Sequence, residues 1–320
     1  MRVSVREVLT LSQRCFVASG FEHGVARDKA ESIWWTEAYR GTGFETLQSL
    51  LDDLDKLSTD RLTLSDRSEL VSVVDGDGQP GIVPGTQTLD FACSQASHQG
   101  VGIGRATTCE NDPSHPTLGS LAYRAAERGY LAVVLATTGT GSSTTILGTQ
   151  AQPRPLVADA NLDAPAESYG EIMEFVDDGL HHQQHYPLAR AFFKGHVGEN
   201  YGTADARLFQ QLVKRSVAPY RGGSSDWTPG FLVVCVDPSH RRYSGDVGRI
   251  IREFVDDHED AFTNVFQPET VGDRISRLAT EGVEVDRDAW REVFECSKGI
   301  LAPRFEGSEK GAGFHLNEMT

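Results

Sequence analysis

Residues 101–136 read VGIGRATTCENDPSHPTLGSLAYRAAERGYLAVVLA, and the fold class turns on how this stretch is parsed. Val101-Gly102-Ile103-Gly104 opens it as a Gly-spaced strand. Leu118, Leu121, Ala122 and Ala125 follow at helical spacing and stop at Gly129, and Leu131 to Ala136 is an apolar run of strand length. Strand, helix and strand in succession predict an α/β core. Upstream, Leu70-Val71-Ser72-Val73-Val74 predicts a strand closed by the turn-rich Asp75-Gly76-Asp77-Gly78, and a helix carries Leu89, Ala92 and Ala96. The four turn residues are too few for a calcium loop, which needs about twelve. Downstream the pattern is weak from Pro153 to Thr228, until Phe231–Val236 restores a strand closed by Asp237-Pro238.

The first seventy residues read as helices. Ser4-x-x-Glu7 is a capping box ahead of Val5, Val8, Leu9, Leu11 and Phe16, with Gly20 as the stop. A second helix runs from Val25 to Tyr39, and a third sets Phe44, Leu47, Leu51 and Leu54 on one face. Near the other end, Val247, Ile250, Ile251, Phe254 and His258 form an amphipathic pattern, and a last helix follows Asp286 with Trp290, Val293 and Phe294.

Lys plus Arg number 30 against 46 Asp plus Glu, a formal charge of −16. Such a chain lacks the concentrated positive field that nucleic acid or anionic lipid requires. The five scattered cysteines contain no Cys-x-x-Cys pair, which argues against a disulfide framework or thiolate zinc site and for a reducing, cytoplasmic home. No apolar run approaches the length of a membrane span.

Three constellations carry possible chemistry. The strand ending at Ala136 runs into Thr137–Thr145, whose Gly, Ser and Thr residues suit a phosphate cradle or a plain polar loop; no Lys follows, so it is not a Walker A. His181 and His185 have the i, i+4 spacing of a shared metal, yet their flanks favour a solvated loop, and no metal site is assigned. His115 follows Asn111-Asp112-Pro113-Ser114 in a loop before a helix, where α/β sites place proton donors and where ordinary loop residues also sit.

In order along the chain, Ala38–Gly41, Val73–Gly78, Gly100–Gly102, Leu118–Gly129, Leu147–Thr149, Phe231–Pro238 and Arg277–Val283 resemble the type-2 malate/L-lactate dehydrogenase family. These non-Rossmann NAD(P)H-dependent oxidoreductases include ureidoglycolate dehydrogenase, sulfolactate dehydrogenase and piperideine-2-carboxylate reductase. The resemblance implies an α/β fold with a mixed-sheet cofactor domain and a helical domain formed from both chain ends. It also implies a homodimer with the site at the subunit interface, and hydride transfer between NADH or NADPH and a 2-oxo acid or cyclic imine carboxylate. The corresponding boundaries are 1–70 and 246–320 for the helical parts and 71–245 for the sheet domain.

The chain departs from the family where the chemistry lies. In the family's RGxxSHGxxR, Glu45 stands for the site histidine and Ser49 for the carboxylate-binding arginine, while Arg40 is kept. A 2-oxo acid would meet a carboxylate there instead of a guanidinium. In NHFGxxG, Asn111 or Ser114 takes the place of the catalytic histidine according to the direction of counting, and His115 lies one residue off. In HKGYG, Glu199 replaces the cofactor lysine, with Lys194 and His196 nearby. The resemblance thus implies His115 and Glu45 as catalytic and Arg40, Ser49, Asn111 and Ser114 as substrate-binding. For the cofactor it implies Thr138, Gly139 and Gly141 of the polar loop, Asp159 and Asn161 of a DxAT-like segment, and Lys194, His196 and Glu199. The expected function is a divergent NAD(P)H-dependent reductase of a small carbonyl or imine with an altered substrate site. The alternatives are non-redox acid–base chemistry by Glu45 and His115, or a pseudoenzyme.

Overall fold

The computed structural model describes residues 1–67, 71–137, 143–151, 154–160, 229–237, 239, 256 and 262–298. The amphipathic pattern from Val247 to His258 (Asp256 apart) and the His181–His185 cluster lie outside the described residues. The helices are α1 (Val5–Ala18), α2 (His23–Arg40), α3 (Gly43–Leu50), α4 (Gly85–Gln99), α5 (Gly119–Glu127), α6 (Pro268–Glu281) and α7 (Arg287–Ser297). The strands are β1 (Arg2–Val3), β2 (Thr63–Arg67), β3 (Val71–Asp75), β4 (Val101–Thr107) and β5 (Leu131–Thr137). They continue with β6 (Ser143–Thr149), β7 (Leu156–Ala160), β8 (Gly230–Val236), β9 (Phe262–Phe266) and β10 (Val283–Glu284).

Eight strands form one sheet in the order β2-β3-β4-β8-β5-β6-β7-β9, in which β3 and β4 run parallel and every other pair antiparallel. This is a mixed sheet, unlike the mostly parallel sheet of a doubly wound dinucleotide fold. β8 inserts between β4 and β5, so that Val234 faces both Ile103 and Val133. Alternate residues Ala132, Val134 and Ala136 of β5 and Phe231, Val233 and Cys235 of β8 point into one core with α4 and α5. The intervening Leu131, Leu232 and Val234 are buried as well, which is why these strands read as unbroken apolar runs. The Gly-spaced β4 has a steric reason. A Cβ on Gly102 would lie 2.0 Å from the Ala92 carbonyl oxygen, and one on Gly104 2.4 Å from that of Thr88, so α4 rests directly on the strand backbone.

The chain ends join. β1 pairs with β10, Val3 opposite Val283, and α1 packs on α7 with the Cys15 thiol donating to the Val293 carbonyl. Val8, Leu11, Phe16, Ile33, Leu47 and Val293 share a second core there, a helical unit drawn from both termini. Ser4 and Glu7 make the expected capping box, and Asp286 caps α7 by accepting from the N–H groups of Asp288 and Ala289.

Three readings of the sequence are corrected. Residues 1–70 are not all helical, because β2 pairs with β3 at the sheet edge. The third helix stops at Leu50 and tightens into a 3-10 turn over Leu51–Lys56, so Phe44 and Leu54 are not on one continuous α-helix. The polar segment Thr137–Thr145 is not a free loop throughout: Ser143, Thr144 and Thr145 pair with Thr137, Ala136 and Leu135 as a hairpin. The five cysteines are free thiols, although Cys93 Sγ and Cys235 Sγ approach to 3.7 Å in the core. Among the described residues no helix is long and apolar enough to cross a membrane.

Candidate active site

Three residues from three distant parts of the sequence converge below the start of α5. Arg40, the last residue of α2, reaches Asp159 on β7 through two parallel bonds of 2.7 Å, Nη1 to Oδ2 and Nη2 to Oδ1. The pair is largely out of water, with side-chain exposures of 19% and 6%. Asn264 on β9 donates a third bond to Asp159 at 3.3 Å. The guanidinium sits between aromatic rings, its Cζ 5.7 Å from the centroids of both Trp35 and Phe266. Planarity allows the bidentate match and the ring contacts together, which a lysine could not supply. Arg40 Nε is buried with no hydrogen-bond partner among the described residues.

His115 opens the 3-10 turn His115–Leu118 that leads into α5. Its loop is fixed by a buried carboxylate. Asp112 accepts from the Ser114 N–H at 2.8 Å, the Ser114 hydroxyl at 2.6 Å and the Gly81 N–H at 2.9 Å. The Ser114 hydroxyl in turn accepts from the Ile82 N–H, and the His115 N–H donates to the Asp112 carbonyl. On the other side Lys29, fully buried, donates from Nζ to the carbonyls of Ile82 and Val83. Burial pushes the Lys29 ammonium down to about 7. Burial also raises the Asp112 carboxyl, opposed by its hydrogen bonds.

The electrostatics of His115 follow from this placement. Burial and the neighbouring Arg40 charge hold its imidazole down to about 4, and Asp159 pulls the other way. The ring is therefore neutral at physiological pH. An imidazole held that low takes up a proton poorly while the site is empty, and an added negative charge beside it would raise its affinity and let it take up a proton to donate.

The remaining residues predicted from sequence fall as follows. Ser114 is fully buried, with its hydroxyl engaged inside the loop, where it positions His115. Asn111 is exposed at the turn of the same loop. Glu45 is exposed in the first turn of α3. Ser49 is exposed one turn later and donates to the Thr46 carbonyl. Thr138, Gly139, Gly141, Asn161, Lys194, His196 and Glu199 lie outside the described residues. Among the described residues no group of three or more His, Cys, Asp or Glu side chains is arranged to hold a metal.

Sequence reading missed Asp112, Trp35, Asn264 and Phe266. The Asp112-Pro113-Ser114 tripeptide was a legible signal, since Asp two residues before Ser is a frequent Asx-turn pattern. Nothing in the sequence announced the Asn264 and Phe266 contacts.

No protein-family model matches the chain, and no curated protein matches it by sequence. Solved structures do match it. A malate dehydrogenase from Entamoeba histolytica superposes with a TM-score of 0.60 at 14% identity, covering 95% of this chain and 99% of that one. The sulfolactate dehydrogenase from Methanocaldococcus jannaschii gives 0.60 at 13% identity, over 94% and 98%. A delta1-piperideine-2-carboxylate reductase from Pseudomonas syringae pvar. tomato gives 0.54 at 15% identity, over 92% and 99%. The chain shares the fold of these enzymes, at a level of identity that leaves its chemistry to be argued from the site.

Proposed function

We propose that the chain is an NAD(P)H-dependent reductase of a small carbonyl or imine metabolite, in which His115 transfers the proton. The observation that carries this reading is the convergence of Arg40, Asp159 and His115, three of the residues named from the sequence resemblance. The matched structures named as dehydrogenases and as a reductase support the same class of reaction.

Of the residues assigned to the cofactor, Asp159 is the one among the described residues, so the fit is judged at the reacting end. There the donor set suits the role: a partly buried neutral imidazole beside a fixed charge pair. When bound, the nicotinamide supplies the hydride. The protein's own part is to hold His115 in a rigid loop, keep its ring neutral when the site is empty, and present it to the oxygen or nitrogen that gains or loses a proton. Because Asp159 already engages the Arg40 fork, Arg40 sets the field at His115, and an acidic substrate would compete with Asp159 for it. An anion arriving beside His115 raises its pKa, so that substrate binding loads the proton the reduction needs. The exposed Glu45, Ser49 and Asn111 fit a surface that a second copy of the chain completes, and a cytoplasmic homodimer is part of the proposal. The boundaries near residues 70 and 245 belong to it as well. No specific observation favours the non-redox alternative, which requires Glu45 to act on His115.

Titration of the purified protein with NADH and NADPH tests the reading, following energy transfer from Trp34, Trp35, Trp227 and Trp290 to the bound nicotinamide. Saturable binding in the micromolar range, roughly −8 kcal/mol, is expected. Absence of saturation at millimolar cofactor would overturn it.

A further inference from the structure

Two thiols that the catalytic reading leaves unused meet in the core between α4 and the sheet. Cys93 on α4 and Cys235 on β8 are 142 residues apart in sequence, yet their sulfurs lie 3.7 Å apart in hydrogen-bond contact. The residues are only 6% and 0% exposed. The glycine spacing of β4 explains the meeting. Cys235 stands opposite Gly102 in the sheet, and a Cβ on Gly102 would lie 2.0 Å from the Ala92 carbonyl oxygen and 2.7 Å from the Ala96 nitrogen. With no side chain to hold it off, α4 settles on the strand backbone at the turn that carries Cys93, and its thiol reaches the neighbouring strand.

The surroundings of the two sulfurs differ. Arg128, just past α5, bonds Cys93, and its partly exposed guanidinium is tied to Asp90 at 2.7 Å. The hydrogen bond from Cys235 and the Arg128 charge hold the Cys93 thiol below the usual thiol range in spite of burial. The same bond, with complete burial, pushes Cys235 up. Cys93 is thus the sulfur that yields a thiolate, beside a cation that reaches solvent, and Cys235 is a protonated thiol in direct contact with it. A stabilised thiolate with a second thiol against it oxidises to a disulfide rather than climbing to the irreversible sulfur acids.

We propose that Cys93 and Cys235 form an oxidative modification site, at which a small hydroperoxide converts the dithiol into a disulfide joining α4 to β8. The Cys93 thiolate attacks one peroxide oxygen, the O–O bond breaks, and the second oxygen leaves as hydroxide, so that Cys93 carries a sulfenic acid. The Cys235 thiol then attacks the Cys93 sulfur. The S–S bond forms, the S–O bond breaks, and the oxygen departs as water with the Cys235 proton. The thiols lose two electrons and the peroxide gains them. With hydrogen peroxide, and the hydroxide taking up the proton that Cys93 released, the products are the disulfide and two waters. The sulfurs close by about 1.7 Å to reach an S–S bond of about 2.05 Å, which rotation of the two short side chains supplies.

A reducing compartment keeps the pair as thiols at rest, so the link is a transient state that thiol reductants reverse. Because it bridges residues 142 apart in the chain, the oxidised protein resists unfolding better than the reduced one. The claim stands whether or not the catalytic reading holds.

The test treats the folded, full-length protein with hydrogen peroxide and maps cross-linked peptides by mass spectrometry. A Cys93–Cys235 link is expected, lighter by two hydrogens and lost on adding dithiothreitol, with a higher urea midpoint while it persists. Mapping separates it from any link between Cys15 and Cys296, which also bond each other. In Cys235→Ser, Cys93 is expected to stop at the sulfenic acid and to be trapped by dimedone, an adduct that the wild type does not accumulate. Arg128→Met leaves both thiols in place and is expected to slow the linkage several-fold, with Arg128→Lys closer to wild type. A link that forms only in urea would overturn the proposal. So would a Cys93–Cys235 pair still fully reduced after the partly exposed Cys296 has been oxidised.

Discussion

Asp159→Asn replaces one oxygen of a nearly buried carboxylate with an amide and removes its charge. In the wild type that carboxylate accepts two charge-assisted bonds of 2.7 Å from Arg40 and one of 3.3 Å from Asn264. Breaking a buried pair by neutralising one partner costs roughly 3–5 kcal/mol, because the surviving charge is left uncompensated. Here Arg40 keeps 19% exposure and its contacts with Trp35 and Phe266, which places the loss near the lower end, about 3 kcal/mol. With an unfolding entropy of roughly 2.1 cal/mol/K per residue over this chain, that corresponds to a Tm lower by about 4–5 °C. Arg40→Met alone strands the Asp159 carboxylate instead, and the double variant removes both charges, so the double should be more stable than the sum of the two losses implies. Calorimetry of the four proteins reads the cycle. A second readout is specific to the site: losing Asp159 drives the His115 pKa further down and losing Arg40 drives it up, both visible by NMR titration of the imidazole. A loss in Tm under 1 °C for Asp159→Asn, with additive single and double effects, would refute the claim that the pair is a coupled, desolvated unit.

Further outcomes are expected from neighbouring groups. His115 is depressed to about 4 against about 6.5 in the unfolded chain, so stability is retained above about pH 6.5 and falls as the pH drops toward 4. Urea unfolding of His115→Gln should lose that acid-side slope, which for a fully expressed shift amounts to about 3 kcal/mol. Lys29 is depressed to about 7, so the folded state binds fewer protons than the unfolded between there and about 10.5, and stability rises with pH across that window. Lys29→Met should flatten the rise between about pH 7 and 9, measured by denaturant midpoints. Gly119→Ala would place a Cβ 2.3 Å from Trp35 Cη2 and 3.1 Å from Arg40 Nη2. It should cost about 1–3 kcal/mol by overpacking and shift the His115 titration by displacing Arg40.

The fold was legible where strands are buried on both faces and helices carry an apolar stripe. β5 and β8 read as LAVVLA and FLVVCV because most of their residues are buried on both faces, and α1 and α7 announced themselves through Ser4, Glu7 and Asp286. β2, β6 and β9 escaped because TLSDR, STTILGT and FTNVF alternate poorly, and β7 is the short LVADA inside a stretch without periodicity. α6 escaped because only Pro268 and Val271 are buried, leaving PETVGDRISRLATE dominated by solvent-facing polar groups. At the site, Arg40, His115 and Asp159 could each be named from motif resemblance. Their meeting could not be read, since 119 residues separate Arg40 from Asp159 and only the packing of the end of α2 against β7 brings them together. Ser114 shows the converse. A polar residue beside a candidate histidine reads as a ligand contact, but its burial against Asp112 and the Ile82 N–H makes it part of the frame.

The most direct test of the central claim is the pH dependence of cofactor oxidation for wild type and His115→Ala, with a panel of 2-oxo acids and cyclic imine carboxylates. Because the free enzyme holds His115 neutral near pH 7, kcat/KM for reduction should rise as the pH falls toward 5, while the reverse oxidation stays level above about pH 6. His115→Ala should abolish both dependences and lower the rate by roughly 10²–10⁴-fold. Turnover that is equal in the two proteins, or a wild-type reduction rate indifferent to pH across this window, would contradict the account.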